Sequence, residues 1–165
     1  MKFKLVPATE EDVGDVVRIM FRAYGGENEY INAVFPRGLT NEGAEAATKR
    51  VLPIRSGVIW EKVVDADSGN TIGGAMWVLY KDAKPQKFDL DGPPGTWETP
   101  MEKEYAQALF KSEMEDEAEF WEKTQLPIMR LVIMAVEPEY QRHGAGAEMM
   151  ESGMMKADSV GATVN

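Results

Sequence analysis

Polar and apolar residues alternate from Lys2 to Val6, which predicts a short strand closing at Pro7. Thr9 follows as an N-cap with Asp12 at the third helical position, an approximate capping box. Val13, Val16, Val17, Met20 and Phe21 then recur on one helical face. This helix ends near Tyr24-Gly25-Gly26, where glycine accepts left-handed backbone. Glu27 to Phe35 and Asn41 to Leu52 read as short helices parted by Pro36-Arg37-Gly38. Ser56 to Asp65 and Thr71 to Tyr80 read as two strands of a hairpin, turned at Asp65-Ala66-Asp67-Ser68-Gly69-Asn70. Lys81 to Thr99, rich in Pro, Gly and Asp, reads as a surface excursion. Pro100 to Lys123 reads as a helix with Met101, Tyr105, Leu109, Phe120 and Trp121 as its packing surface.

The run Leu131-Val-Ile-Met-Ala-Val136 is short and wholly apolar, as expected of a strand covered on both faces. Pro138 ends it, and a helix over Gly144 to Asp158 follows, with Ala147, Met150, Met154 and Met155 spaced to pack on a sheet. Gly161 stops that helix, and Ala162 to Asn165 resembles the start of another strand. Between strand and helix lies Gln141-Arg142-His143-Gly144-Ala145-Gly146. Two glycines let the backbone approach a ligand, and the free N–H groups of a helix start favour an anion such as phosphate. No Gly-Lys-Ser/Thr follows, so this is not a P-loop. The first glycine of a dinucleotide fingerprint is missing as well.

Composition narrows the chemistry. The 165 residues are 44% apolar, with a mean hydropathy of −0.35, which fits one globular domain spanning 1–165. No stretch is apolar enough for a membrane span and the N-terminus lacks a secretory core, so a cytoplasmic location is expected. The absence of cysteine excludes disulfides, thiolate catalysis and the usual zinc frameworks. His143 is the single histidine, so no multi-histidine metal site is expected. A net charge of −10 argues against nucleic acid as a partner and is compatible with a cationic substrate. Between Glu98 and Glu122 stand nine acidic residues against two lysines, which supply seven of the ten net negative charges. They read either as a solvated face over a packing stripe or as an acidic wall of a site for a cationic substrate.

The loop matches Q/R-x-x-G-x-G/A, and with the strand ending Met-Ala-Val and the Glu137-Pro-Glu-Tyr140 turn it resembles the acetyl-CoA-binding core of the GNAT superfamily of N-acyltransferases. The resemblance implies an α+β or α/β fold with a mixed, mostly antiparallel central sheet flanked by helices. It implies acetyl-CoA as cosubstrate, no metal, and direct attack of an amine on the thioester through a tetrahedral intermediate. It places the backbone of Met134, Ala135 and Val136 along the pantetheine arm, with the Val136 N–H near the thioester carbonyl. The N–H groups of Arg142, His143, Gly144, Ala145, Gly146 and Ala147 would hold the pyrophosphate, bordered by Gln141 and Arg142. The strand and helix before Tyr24 resemble the region that forms part of the acceptor pocket.

Residues 81–127 look like an insert of the kind common among fungal members. The chain departs from the family at its end: a splayed strand, a helix and a last hairpin normally follow Asn165, which implies an incomplete domain. In some histone-modifying members a glutamate lies six residues before the final Val of the cofactor strand. Arg130 stands there instead, against protein-lysine acetylation by that mechanism. No base is assigned. His143 sits in the phosphate loop, and Glu119 and Glu137 are the remaining carboxylate candidates. The expected acceptor is a small amine rather than a protein, and a homo-oligomer is compatible with the sequence. The other reading is a non-catalytic acyl-CoA-binding or interaction module of the same fold.

Overall fold

The computed structural model describes residues 2–54, 56–86 and 88–165. The elements run β1 (Phe3–Pro7), α1 (Glu10–Ala23), α2 (Glu29–Val34), α3 (Asn41–Val51), β2 (Val58–Asp65), β3 (Thr71–Tyr80), α4 (Pro100–Lys123), β4 (Ile128–Val136), α5 (Ala145–Ser159) and β5 (Thr163–Val164). Strand order is β1-β2-β3-β4-β5; every pairing is antiparallel except β4 with β5. Lys87, within the predicted excursion, lies outside the described residues, as do Met1 and Arg55, the latter just before the second predicted strand. No helix among the described residues is long and apolar enough to cross a membrane.

The continuous apolar run of β3 is explained by helices on both faces. Met76 and Val78 face α1 and α3, meeting Val13, Val16, Val17, Met20, Ala44 and Ala47. Ala75 and Trp77 face α5, meeting Ala145, Met149 and Ala157 together with Val63 and Met129. The α1 face is the one its helical spacing predicts, and Asp12 accepts from the Thr9 N–H at 2.8 Å at the helix start. The Lys62 ion pair, then the Thr9 hydrogen bonds, hold the Asp12 carboxyl below its usual range.

Two packing faces differ from the sequence expectation. In α5 the buried stripe is Ala145, Met149, Ser152, Gly153 and Ala157, whereas Ala147 is exposed and Met154 and Met155 are 51% and 61% exposed. Opposite that stripe stand the Trp77 indole and the buried Glu61 carboxylate, which accepts from Ser152 at 2.7 Å and pairs with Lys156 at 2.6 Å. A large ring selects small residues opposite it, so the methionines turn outward. In α4 the buried residues are Ala106, Met114, Ala118 and Trp121; Met101 and Tyr105 are 77% and 49% exposed. Ala106 packs with Val34 of α2 and Leu90, and Met114, Ala118 and Trp121 pack with Ile128 of β4.

The acids of α4 also divide in two. Glu115, Asp116, Glu119 and Glu122 are exposed. Glu117 and Glu113 instead turn toward Arg130 on β4, at 2.7 and 3.8 Å from Nη2. Arg130 Nε donates to Glu117 Oε1 at 2.9 Å, and its Nη2 meets Oε2 as an ion pair rather than an aligned hydrogen bond. The Tyr30 hydroxyl donates to Glu113, and the Arg130 guanidinium lies over the Trp121 ring. Burial pushes the Glu117 carboxyl up and Arg130 opposes it. Arg130→Ala should therefore cost about 3 kcal/mol, since it strands a mostly buried carboxylate. Without the cation the Glu117 pKa rises further. The loss should be greatest at neutral pH and shrink as acid protonates the carboxyl, which urea melts at neutral and acidic pH would show.

Candidate functional site

The site lies where β4 gives way to α5. β5 covers the outer edge of β4 only at its start, pairing with Ile128 and Met129, and Asn165 accepts from the Leu131 N–H at 2.9 Å. A bulge follows, because Met76 pairs with Ile133 and Trp77 with Leu131, which leaves Val132 unpaired against β3. Beyond it the Glu137 N–H donates to Ile72 of β3 at 2.8 Å. Backbone direction alternates along an antiparallel strand, so Ala135 and Ile133 also face β3 while Met134 and Val136 face the open edge. No strand among the described residues pairs with that stretch of edge. The Val136 carbonyl accepts from Gln141 Nε2 at 3.0 Å, and its N–H points outward.

The chain then makes a single 3-10 turn over Pro138–Tyr140 and two left-handed steps, Arg142 at φ 63° and Gly144 at φ 96°. Left-handed steps beside a helix start turn successive N–H groups toward one side, the geometry of an anion nest. Gly144 caps α5 without any side-chain hydrogen bond, and the first helical bond to it runs from the Glu148 N–H at 3.1 Å. The N–H groups of Ala145, Gly146 and Ala147 therefore have no acceptor within the helix. A Cβ on Gly146 would meet no atom within 4 Å. The exposed Arg142 guanidinium forms no ion pair among the described residues and adds a positive charge.

Strand edge and helix start share one cleft of about 340 Å³, lined by Ala23, Tyr24, Met134, Ala135, Val136, Tyr140, Gln141, Arg142, Ala145 and Gly146. Of the residues singled out in the sequence, Met134, Ala135, Val136, Gln141, Arg142, Ala145 and Gly146 come together here. His143, Gly144 and Ala147 belong to the same loop and helix start but do not line the cleft. His143 points back, with Nδ1 at 3.3 Å from the Tyr140 carbonyl. Tyr140, Ala23 at the end of α1 and Tyr24 just beyond it are the walls not assigned individually from the sequence. Their signal was indirect: Tyr24 closes an amphipathic helix ahead of paired glycines.

Neither candidate carboxylate lines this cleft. Glu137 is bound side-on by Arg22, whose Nε donates to both oxygens at 3.0 and 3.1 Å, and so ties the end of α1 to the end of β4. That partner raises the Arg22 pKa. Glu119 is exposed and pairs with Lys123 one helical turn on. Among the described residues no group of three His, Asp or Glu side chains could hold a metal ion.

No protein-family model and no curated protein matches the sequence. Solved structures do resemble the fold. A mosquito arylalkylamine N-acetyltransferase-like protein superposes with a TM-score of 0.59 at 17% identity, over 99% of this chain and 74% of that one. A histone acetyltransferase HPA2 and related acetyltransferase from Corynebacterium glutamicum gives 0.53 at 15%, over 95% and 72%. An aminoglycoside 6'-N-acetyltransferase from Acinetobacter baumannii gives 0.51 at 10%, over 99% and 79%. The mixed, mostly antiparallel sheet flanked by helices is thus the fold of GNAT acetyltransferases, as the loop and its strand imply.

Proposed function

We propose that this chain is an acetyl-CoA-dependent N-acyltransferase that passes an acetyl group to a small amine. One observation carries the reading: an uncapped helix start with an unpaired arginine and an open strand edge line the same cleft. The uncapped N–H groups and the empty space over Gly146 suit a pyrophosphate. In this reading the backbone from Arg142 to Ala147 holds that group, with Gln141 and Arg142 at its border. The outward N–H and C=O groups of Met134 and the outward N–H of Val136 suit the amides of a pantetheine arm and a thioester carbonyl. Acetyl-CoA, when bound, supplies an activated acyl group. The chain's own part is to orient it, to place the Val136 N–H where negative charge develops, and to admit the amine.

The cleft holds no histidine and no carboxylate; its titratable side chains besides Arg142 are Tyr24 and Tyr140. That favours, as a second reading, a module that binds acyl-CoA without transferring the group. CoA at a hundredfold excess over its Kd is expected to stabilise the protein by about 2.7 kcal/mol, read as a thermal shift. Acetyl-CoA with a panel of amines should release free thiol. A shift without thiol release would select the binding module, and no shift would overturn both readings.

A further inference from the structure

Helix α1 is tied to the sheet by a side chain at each end. At its start Asp12 meets Lys62 of β2 at 2.6 Å, and in its last turn Arg22 holds the Glu137 carboxylate. Side chains alternate along β4, so Ile133, Ala135 and then Glu137 turn toward α1, opposite to Met134 and Val136. The guanidinium meets both carboxylate oxygens through Nε and adds Nη2 to one of them, a fork that fixes direction as well as distance. The Glu137 backbone is anchored separately: its N–H donates to the Ile72 carbonyl at 2.8 Å, and its own carbonyl accepts from the Tyr140 N–H at 2.9 Å. The Arg22 side chain is 48% exposed, so the pair adds little to global stability.

Its place in the chain gives the pair more leverage on the cleft than on the fold. Ala23 and Tyr24, the residues after Arg22, line the cleft from α1, and Val136, the residue before Glu137, lines it from β4. Among the described residues neither Ala23 nor Tyr24 makes a side-chain hydrogen bond, and the chain then passes through Gly25 and Gly26 at φ 62° and 70°. Arg22 is thus the last polar anchor of that wall. We infer that Arg22 and Glu137 are a positioning pair, which sets the separation between the end of α1 and the end of β4. In doing so they set the width of the slot where a pantetheine arm and its acyl group lie against the Val136 N–H. Neither side chain lines the cleft, so the pair acts through Ala23, Tyr24 and Val136 rather than by touching a ligand. Misplacing a bound group by about 1 Å can cost about a hundredfold in rate, far more than an exposed ion pair contributes to folding. The inference rests on the acyl-transfer reading, which supplies the ligand, and adds to it what holds the slot open at the right width.

The test titrates CoA and ADP by calorimetry into the full chain and into Arg22→Gln, Glu137→Gln, the double variant and Arg22→Lys. ADP carries the pyrophosphate without the arm. Each single Gln variant should weaken CoA about tenfold but ADP within about twofold, because the Glu137 backbone and the loop beyond it keep their own anchors. The double variant should bind CoA no worse than either single one, as expected of two residues that act together. Arg22→Lys keeps the charge but not the fork and should recover part of the loss. Every variant should melt within a few degrees of the parent. Arg18→Gln removes the exposed contact to Asp15 one turn earlier and should change neither affinity. An unchanged CoA-to-ADP affinity ratio in the single variants, equal weakening of both ligands, or losses that add in the double variant would each overturn the positioning pair while leaving the acyl-transfer reading in place. A parent chain that binds neither ligand would overturn that reading, and the pair with it.

Discussion

Gly146→Glu is expected to abolish CoA binding while leaving the melting temperature close to that of the unsubstituted chain. Gly146 lies in the first turn of α5, with helical backbone, and a Cβ there meets open space, so the fold has no reason to reject a side chain. The same open space is the cleft wall beside the uncapped N–H groups of Ala145, Gly146 and Ala147. A carboxylate there satisfies the helix dipole itself and occupies the volume a phosphate would need. Lost charge-assisted hydrogen bonds and added repulsion together amount to about 3 kcal/mol or more, at least a hundredfold in Kd. Gly146→Ala is the control: it adds bulk without charge and should gain about 0.5 kcal/mol from reduced chain entropy. Calorimetric titration with CoA decides the matter. A Gly146→Glu protein that keeps its affinity would place the phosphates elsewhere and undo the cleft assignment.

Gly153→Val should have the largest effect on stability. A Cβ at Gly153 would lie 2.1 Å from Trp77 Cζ2, and Trp77 is fully buried between β3 and α5. Neither partner can give way, because the indole is enclosed and α5 is held by Met149, Ala157 and the Ser152–Glu61–Lys156 contacts. Overpacking of a core ordinarily costs 1–3 kcal/mol, and this contact should reach about 3 kcal/mol or beyond. Against a typical total of 5–15 kcal/mol, that brings a marginal chain near unfolding. Gly153→Ala carries the same first clash, and pairing it with Trp77→Phe should recover part of the loss by removing the ring atoms that collide. Denaturant melts would measure both. A Gly153→Ala chain as stable as its parent would mean that α5 rides higher on the sheet than the structure shows.

The two expectations concern two parts of one helix, its start and its buried stripe, and only the first was legible in the sequence. The loop end of α5 could be read because it depends on backbone: a strand that stops at Pro138, two glycines that let the chain approach a ligand, and N–H groups that any helix start leaves free. The same local logic makes the α1 face, the Asp65–Asn70 turn and the start of α4 at Pro100 readable. Each is set by residues within a few positions of one another.

What only the tertiary structure decided is which residue faces which. Met154 and Met155 have the apolar size to be core residues, yet Gly153 and Ser152 lie inward because Trp77 and Glu61, far away in sequence, stand there. Tyr105 lies exposed and Ala106 buried because α2 approaches closely enough to admit only a methyl group. Glu113 and Glu117, read with the other acids as either a solvated face or an acidic wall, turn toward Arg130 because β4 brings a guanidinium beneath them. The outward direction of Met134 and Val136 also belongs to this class, since it is set by the bulge at Val132 and the pairing of β4 with β3. Local sequence specifies elements, caps and the loop that offers N–H groups, since these depend on nearby backbone. Burial and pairing depend on long-range complementarity of volume and charge, which no local pattern encodes.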